Sequence, residues 1–287
     1  MLTKEQLAKR VYSIGSSDSA SILGMNPWSS AYDIWALKTG RVQPFDGNDA
    51  TRAGDRLEMP ILEWAVEEIG ARGVEYQVEI NDGIMSATLD VRAYLDSEPI
   101  IIEAKTGGVT SPLSAPWGEV GSDEIPDHYK IQVQHQLAVA GHEYKRAFVA
   151  ALIPPRGFQM FVVYRDEEAI EFIRHSCNEF WRSHVVADVP PPDCSPSPET
   201  FKRMRRIPKK QVEIDGRLIA EWEQAKSESK AAEKIKDAAE AALLASLGDA
   251  ESGIYAGGEV TYYETERKGY EVKATTYRSL RNKRAKG

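Results

Sequence analysis

Residues Met85–Lys105 read MSATLDVRAYLDSEPIIIEAK, and this stretch gives the clearest indication of the fold and of the chemistry. Two apolar runs, Ala87–Leu95 and Pro99–Ala104, flank the turn-like tripeptide Asp96-Ser97-Glu98. Because both runs are rich in residues that favour strands, namely Val, Ile, Tyr and Thr, the stretch predicts a β-hairpin.

Three charged residues, Asp90, Glu103 and Lys105, interrupt the apolar pattern of this hairpin. Glu103 follows three isoleucines, and burying a carboxylate beside them is costly unless a cation compensates. Because side chains alternate along a strand, Glu103 and Lys105 share a face while Ala104 points away. Two carboxylates and an ammonium group on one edge suit a divalent metal and a water molecule to be activated. The hairpin is therefore predicted to carry the chemistry of the protein.

Composition restricts the class of protein. The chain has 287 residues, a net charge of −8 and two cysteines, Cys177 and Cys194. The charge gives no global basic field for nucleic acid, although local patches still decide binding. Two cysteines give neither a disulfide framework nor a metal-binding spacing, which fits a reducing compartment. No apolar run reaches the ~18 residues of a membrane span, and the N-terminus lacks a signal-peptide core. We expect a soluble cytoplasmic protein that is neither secreted nor membrane-spanning.

The segment before the hairpin is predicted to contain two helices. Ile14–Gly24 (IGSSDSASILG) is typical of a Ser-rich loop that runs into a helix, with Asp18 or Ser17 as the N-cap. Its hydroxyl groups either bind a phosphate or only cap the helix. Asp49–Ile69 has apolar residues every three to four positions and predicts an amphipathic helix. Glu58 adjoins its apolar stripe and, taken alone, is more typical of a surface carboxylate than of a ligand.

The remaining elements of the first 188 residues alternate between helices and strands. The pattern predicts a strand at Val74–Ile80, a helix at His128–Ala140, strands at Arg146–Ile153 and Gln159–Tyr164, and a helix at Asp166–Val186. Their order indicates an α/β fold with a mixed central sheet flanked by helices.

Two histidines, His128 and His135, lie on the predicted helix His128–Ala140 near Gln132. A histidine pair seven residues apart lacks a third metal ligand. We therefore expect both imidazoles to be exposed rather than metal-bound.

The chain after residue 188 forms a different region. Residues 189–200 are Pro-rich and predict an extended linker, which separates a core at residues 1–188 from an appendage at residues 201–287. Within the appendage, Ile214–Leu247 predicts one long helix and Glu259–Tyr277 a β-hairpin that turns at Lys268-Gly269. Basic runs flank these elements and either contact a DNA backbone or are solvated.

Five short motifs resemble the PD-(D/E)xK nucleases, and most closely the YqaJ-type viral recombinase nucleases, which include the lambda-type alkaline exonuclease. The motifs are Ile14-Gly15-Ser16-Ser17-Asp18, Gly54-Asp55-Arg56-Leu57-Glu58, Leu89-Asp90, Glu103-Ala104-Lys105 and Tyr129-Lys130-Ile131-Gln132-Val133-Gln134. A lone Glu-x-Lys is common by chance, whereas five motifs in the family's order are not. The resemblance implies a PD-(D/E)xK, restriction-endonuclease-like core over about residues 10–185.

The resemblance also implies a metal site for Mg²⁺, with Mn²⁺ as a substitute. Its ligands would be oxygen atoms of Asp90, Glu103, the Ala104 carbonyl and, directly or through water, Glu58. Lys105 would orient the attacking water and lower its pKa, and Gln132 would position Lys105 or the water. Asp96 is a rival acid, but it lies at the hairpin turn and farther from the register of Glu103.

A second set of residues is similar to those with which the family grips the 5′-phosphate of DNA. These residues are Arg10, Ser17 and Thr88.

The family often has a glycine after its strand aspartate, where this chain continues with Val91. The strand is therefore expected to continue through Asp90.

The resemblance implies a Mg²⁺-dependent exonuclease that resects linear double-stranded DNA 5′ to 3′, giving single strands for annealing-type recombination. Its expected partners are double-stranded DNA ends, a single-strand annealing protein and copies of itself in a trimeric ring. One alternative is an endonuclease of the same fold. Another is a non-catalytic accessory protein of recombination that binds DNA or a partner through the appendage. The presence of every acid together with Lys105 favours an active enzyme.

Overall fold

A computed structural model describes residues 10–107, 117–192, 195–204 and 211–263. The chain divides into two compact units, Met1–Arg206 and Ile207–Gly287. The predicted division into a core, a linker and an appendage stays a prediction. None of the helices within these ranges combines the length and apolarity that crossing a membrane requires.

The first unit is built on a six-stranded mixed sheet. Its strands are β1 (Ile14–Gly15), β2 (Arg72–Asp82), β3 (Met85–Leu95), β4 (Glu98–Thr106), β5 (Arg146–Ile153) and β6 (Gly157–Tyr164). The path β1-β3-β4-β5-β6 is completed by β2, which pairs with the other edge of β3. The β1–β3 and β4–β5 pairs are parallel, and the β2–β3, β3–β4 and β5–β6 pairs are antiparallel. The predicted hairpin is confirmed as β3 and β4, and its turn residues Asp96 and Ser97 have φ angles of 48° and 70°.

Helices cover both faces of this sheet. The helices of this unit among the described residues are α1 (Ser16–Ile22), α2 (Ala31–Lys38), α3 (Asp49–Ile69), α4 (Asp127–Ala140), α5 (Glu167–Phe180) and α6 (Pro198–Arg203). A π-helical segment, Trp181–Val186, extends α5, and a 3₁₀ turn, Arg10–Tyr12, precedes β1. The mixed α/β fold with a helix-flanked central sheet is confirmed.

Helix α3 has the predicted bounds, and its two ends explain why. The Asn48 side chain accepts a hydrogen bond from the Thr51 N–H, which satisfies one of the free donors at the start of the helix. Gly70 ends it with a φ of 66°, a left-handed conformation that glycine adopts without steric cost. Helix α1 differs from expectation. It begins at Ser16, and Asp18 inside its first turn accepts the Gly15 N–H at 2.9 Å.

Two apolar clusters lie on opposite faces of the sheet. One contains Ile101 and the apolar residues of α4 and α5, and the other contains Ile100, Ile102 and the apolar residues of α3. Because consecutive side chains of a strand point to opposite faces, β4 divides these neighbouring isoleucines between the two clusters. Helix α3 therefore covers one face of the strands that carry the predicted site, and α4 covers the other.

Strands β2 and β3 change face at the same level. On β3, Val91 packs in the α3-side cluster while Leu89 packs in the α4-side cluster. On β2, Val74 and Val78 divide between the two clusters in the same way. Residues two or four positions apart share a face in a regular strand, so both backbones rotate between these positions. On β2 the rotation falls at Gln77, whose φ is 54°.

The second unit contains helix α7 (Gly216–Leu247) and a short antiparallel pair, β7 (Ser252–Tyr255) and β8 (Gly258–Thr261). The long helix is thus present, beginning two residues after the predicted Ile214. The predicted turn at Lys268-Gly269 lies outside the described residues. The described hairpin turns earlier, between β7 and β8.

Candidate active site

The site lies where β3 separates from β4. The two strands pair from Leu95 and Glu98 to Val91 and Ile102, and there the pairing ends. Strand β4 continues beside β5, while the same edge of β3 is taken over by β1 at Met85.

At this separation, Asp90 Oδ2 accepts a hydrogen bond from the Ala104 N–H at 2.9 Å. The carboxylate replaces the backbone acceptor that a continued β3–β4 ladder would have supplied, since a buried N–H must find a partner. Strand β3 runs on through Asp90, as predicted. The contact places Asp90 beside Glu103, whereas the rival Asp96 is exposed at the hairpin turn.

Glu103 is held by three side-chain donors. Its Oε1 accepts from Lys105 Nζ at 2.6 Å and from Gln132 Nε2 at 2.5 Å. Its Oε2 accepts from Gln136 Nε2 at 2.6 Å. Lys105 Nζ also donates to Gln132 Oε1 at 3.1 Å, which closes a ring of hydrogen bonds between β4 and α4. The Glu103 side chain is only 4% exposed, so this network compensates for burying its charge.

The surroundings of Asp90 disfavour its charged form. Burial raises the pKa of Asp90 well above its usual value, and the nearby Glu103 charge raises it further. Burial opposes the charge of Lys105, but the Glu103 and Asp90 carboxylates outweigh that effect and raise its pKa. Lys105 Nζ also lies 4.9 Å from the centre of the Tyr129 ring. The site therefore combines crowded negative charge with one fixed ammonium group.

Glu58 approaches from α3 on the opposite face of the sheet. It is half-buried, and its Oε1 accepts a hydrogen bond from Gln77 Nε2 at 2.8 Å. Burial raises the pKa of Glu58, and the Glu103 charge adds to this. Its partner Gln77 occupies the ladder position opposite Asp90, because Tyr76 pairs with Val91 and Val78 with Leu89.

The expectation that His128 and His135 are exposed is wrong. His128 packs against Tyr129 with ring centres 4.0 Å apart, and burial followed by the Lys105 charge lowers its pKa. His135 is fully buried, with Nδ1 at 2.6 Å from Ser19 Oγ and Nε2 at 3.1 Å from the Ser86 carbonyl oxygen. Burial lowers the pKa of His135 to about 4. Both side chains are therefore buried, and His135 is hydrogen-bonded between α1 and β3.

The residues predicted to grip a 5′-phosphate lie on the elements next to β3. Arg10 belongs to the 3₁₀ turn before β1, and Ser17 is exposed in the first turn of α1. Strand β1 joins these two elements and pairs with β3 at Met85 and Ser86, close to Thr88. Their role in binding DNA stays a prediction.

The predicted metal ligands have suitable chemistry. In the described ranges, no three side chains of His, Cys, Asp or Glu converge as a ready metal cage. Asp90 and Glu103 nevertheless present carboxylate oxygens, which hard divalent cations prefer. Three hydrogen bonds use three of the about four acceptor positions of Glu103, leaving one for a ligand bond. A cation between these carboxylates would offset both the burial of the Asp90 charge and the Glu103 repulsion that together raise the pKa of Asp90, so the residues fit such an ion.

Two glutamines of the site were not predicted. Gln136 is fully buried and holds Glu103 Oε2, and Gln77 holds Glu58. A signal for Gln136 is present in the sequence, since it lies one helical turn after Gln132 and so shares its face. Gln77 has no comparable signal, because its role depends on the face change of β2.

The helix-flanked mixed sheet, with its acids on a helix and two strands and a lysine after the second strand acid, defines a PD-(D/E)xK nuclease-type fold. Residues 5–143, just under half of the chain, match the family described as the YqaJ-like viral recombinase domain. This recognition agrees with the resemblance in the motifs.

A curated bacterial protein is also similar to this chain in sequence. The chain is 31% identical over 208 residues to the protein described as "Uncharacterized protein YqaJ" of Bacillus subtilis (strain 168). The match covers 71% of this chain and 64% of that relative, which is less than two thirds of its length.

Two crystal structures are also similar. The alkaline exonuclease LHK-Exo of Laribacter hongkongensis has a TM-score of 0.49 and 18% identity, covering 65% of this chain and 94% of that one. A phage related exonuclease from Haemophilus somnus 129PT has a TM-score of 0.45 and 14% identity, covering 61% and 95%.

Proposed function

We propose that this protein is a Mg²⁺-dependent deoxyribonuclease that resects linear double-stranded DNA 5′ to 3′ and leaves single strands for annealing-type recombination. The observation that carries the proposal is the fixed group of Glu103, Lys105 and Gln132 beside Asp90, at the point where β3 and β4 separate. The match of residues 5–143 to the YqaJ-like viral recombinase domain supports the same activity. The cytoplasm of a bacterial or phage-infected cell is its expected location.

Each group at the site has a role in phosphodiester hydrolysis. Asp90, Glu103 and the Ala104 carbonyl would hold a divalent cation, which supplies charge for the scissile phosphate and activates water. Lys105 orients the water and favours its deprotonation, because an adjacent ammonium group stabilises hydroxide. Gln132 bonds both Lys105 Nζ and Glu103 Oε1, so it fixes the lysine relative to the carboxylate. Glu58 would complete the metal site by binding the cation directly or through a water molecule.

The test is digestion of a linear duplex that carries 5′-phosphates, with Mg²⁺ and with EDTA. We expect loss of 5′-terminal nucleotides with Mg²⁺, replacement of Mg²⁺ by Mn²⁺, and no cleavage with EDTA. Lys105→Ala should reduce the rate by about 10²–10⁴-fold, the usual contribution of a positioned acid–base group. A Lys105→Ala variant as fast as the parent would exclude this assignment. Cleavage of a supercoiled circle would instead identify an endonuclease.

The proposed partners follow from the same activity. The substrate is a double-stranded DNA end, which we infer is gripped at its 5′-phosphate by Arg10, Ser17 and Thr88. We also propose a trimeric ring and a single-strand annealing protein as partners. Light scattering of the full chain checks the first of these, because a trimer would have three times the chain mass of 32.0 kDa. A monomer at the concentration of the digestion assay would contradict the ring.

A further inference from the structure

We propose that Gln77 is a positioning residue that fixes the Glu58 carboxylate at the strand separation marked by Asp90. The inference deepens the proposed metal-dependent nuclease function and rests on it. It adds β2 to the elements that build the site, beside α3, β3, β4 and α4.

The first observation is the contact itself. Gln77 Nε2 lies 2.8 Å from Glu58 Oε1, and both side chains are partly buried. A carboxylate only accepts hydrogen bonds, so the amide must donate. A hydrogen bond to a charged acceptor is short and directional, and it fixes one oxygen of Glu58. Among the residues that the structure describes, no donor is bonded to the other oxygen of this carboxylate.

The second observation is the backbone of Gln77. Its φ of 54° lies in the left-handed region, which a residue with a Cβ seldom adopts. At this residue β2 changes face, since Val74 and Val78 pack on opposite sides of the sheet. The strained conformation aims the Gln77 side chain at α3, where Glu58 lies. Backbone strain of this kind tends to occur where a site needs it.

The third observation is the position of Gln77 in the sheet. It stands opposite Asp90, between the pairs Tyr76–Val91 and Val78–Leu89. Asp90 in turn binds the Ala104 N–H across the opposite edge of β3. Gln77, Asp90 and Ala104 therefore lie at one level on three adjacent strands. A group at this level is well placed to set where Glu58 stands relative to the two strand carboxylates.

The contact differs from a merely structural hydrogen bond in a way that can be measured. A glycine at position 77 would adopt the positive φ without steric cost and would remove the amide. Stability should therefore be kept or raised while the positioning of Glu58 is lost. A structural role predicts the opposite, namely a less stable protein whose metal affinity is unchanged.

The experiment measures the binding of Mn²⁺ alone, without DNA, to the full chain by isothermal titration calorimetry, together with the melting temperature. The variants are Gln77→Gly, Gln77→Asn, Glu58→Ala and the double variant of Gln77→Gly with Glu58→Ala. Gln77→Asn tolerates the left-handed backbone but is one methylene too short to reach Glu58. The matched control is Ser97→Gly, which relieves a φ of 70° at the exposed β3–β4 turn.

We expect Gln77→Gly to melt at or above the temperature of the parent and to bind Mn²⁺ about 10–100-fold more weakly, the usual effect of removing a group that orients a metal ligand. Gln77→Asn should weaken binding as well, and Ser97→Gly should bind as the parent does. In the Glu58→Ala background, Gln77→Gly should cause no further loss.

The proposal is overturned if Gln77→Gly binds Mn²⁺ as tightly as the parent does. It is also overturned if Gln77→Gly weakens Mn²⁺ binding by the same factor in the Glu58→Ala background as in the parent. A parent that binds no Mn²⁺ also overturns it. If the parent leaves duplex DNA intact but Gln77→Gly weakens Mn²⁺ binding, the nuclease function fails and the positioning role stands. If DNA is digested and Gln77→Gly binds Mn²⁺ normally, only the positioning role fails.

Discussion

The buried imidazole of His135 should make the stability of the core depend on pH. Burial lowers the pKa of His135 to about 4, against 6.5 for a free histidine. Between pH 6.5 and pH 4 this histidine is protonated in the unfolded chain but stays neutral in the folded chain. The free energy of unfolding therefore falls as the pH is lowered from 6.5 to 4, and this contribution levels off below pH 4. A difference of about 2.5 pH units, at about 1.4 kcal/mol each, corresponds to a full loss of about 3.5 kcal/mol, of which about 3 kcal/mol has occurred by pH 4.

The loss can be isolated by comparing urea unfolding of the parent and of His135→Gln, followed by tryptophan fluorescence at pH 7, 6, 5 and 4. The glutamine does not titrate, so the free-energy gap between parent and variant should shrink by about 3 kcal/mol from pH 7 to pH 4. His142→Gln is the matched control, because the His142 side chain is 82% exposed. Its gap to the parent should change by less than about 1 kcal/mol, because the His142–Glu167 pair is exposed. Parallel curves for the parent and His135→Gln over this range would refute the reasoning.

Two further predictions concern charge. Lys38 and Asp18 form a buried ion pair with an N–O distance of 2.7 Å, so Lys38→Ala should lower the free energy of unfolding by about 3–5 kcal/mol in urea titrations. Lys236→Ala, at an exposed pair on α7, should change it by less than about 1 kcal/mol, and equal effects would contradict the argument. Asp90→Asn should raise the melting temperature without metal, because it removes a charge that is disfavoured by burial and then by the Glu103 charge. It should also abolish the rise that Mg²⁺ causes in the parent, and a preserved rise would show that Asp90 holds no metal.

The elements with clear local signals could be predicted from the sequence. Strand β5 agrees with the predicted Arg146–Ile153, and α3 agrees at both ends because its cap and its terminal glycine are encoded locally. The hairpin was found for a similar reason, since strand-favouring residues flank a polar turn. The pairing of Glu103 with Lys105 also follows from a periodicity of two and needs no tertiary information.

The rest depends on contacts between distant residues. Gln136 and His135 have polar side chains that are ordinarily exposed, and they are buried here because Glu103 and Ser19 supply partners from other elements. Strand β1 has only two residues, Ile14 and Gly15, which is too short for any periodicity. At Gln77 the backbone of β2 rotates, and glutamine is not a residue type whose presence indicates a positive φ in a strand.

The exposed helix α7 has a consequence for how the unfolding of this protein is observed. It has 32 residues, which makes it about 48 Å long, and no side chain of the helix is buried among the described residues. Its helicity then rests on intrinsic propensity and neighbouring side-chain pairs, so it should fray progressively instead of melting in one step. Circular dichroism at 222 nm would sum this gradual change with the cooperative loss of the core. The ellipticity of the whole chain should consequently decline before the tryptophans of the core report any unfolding.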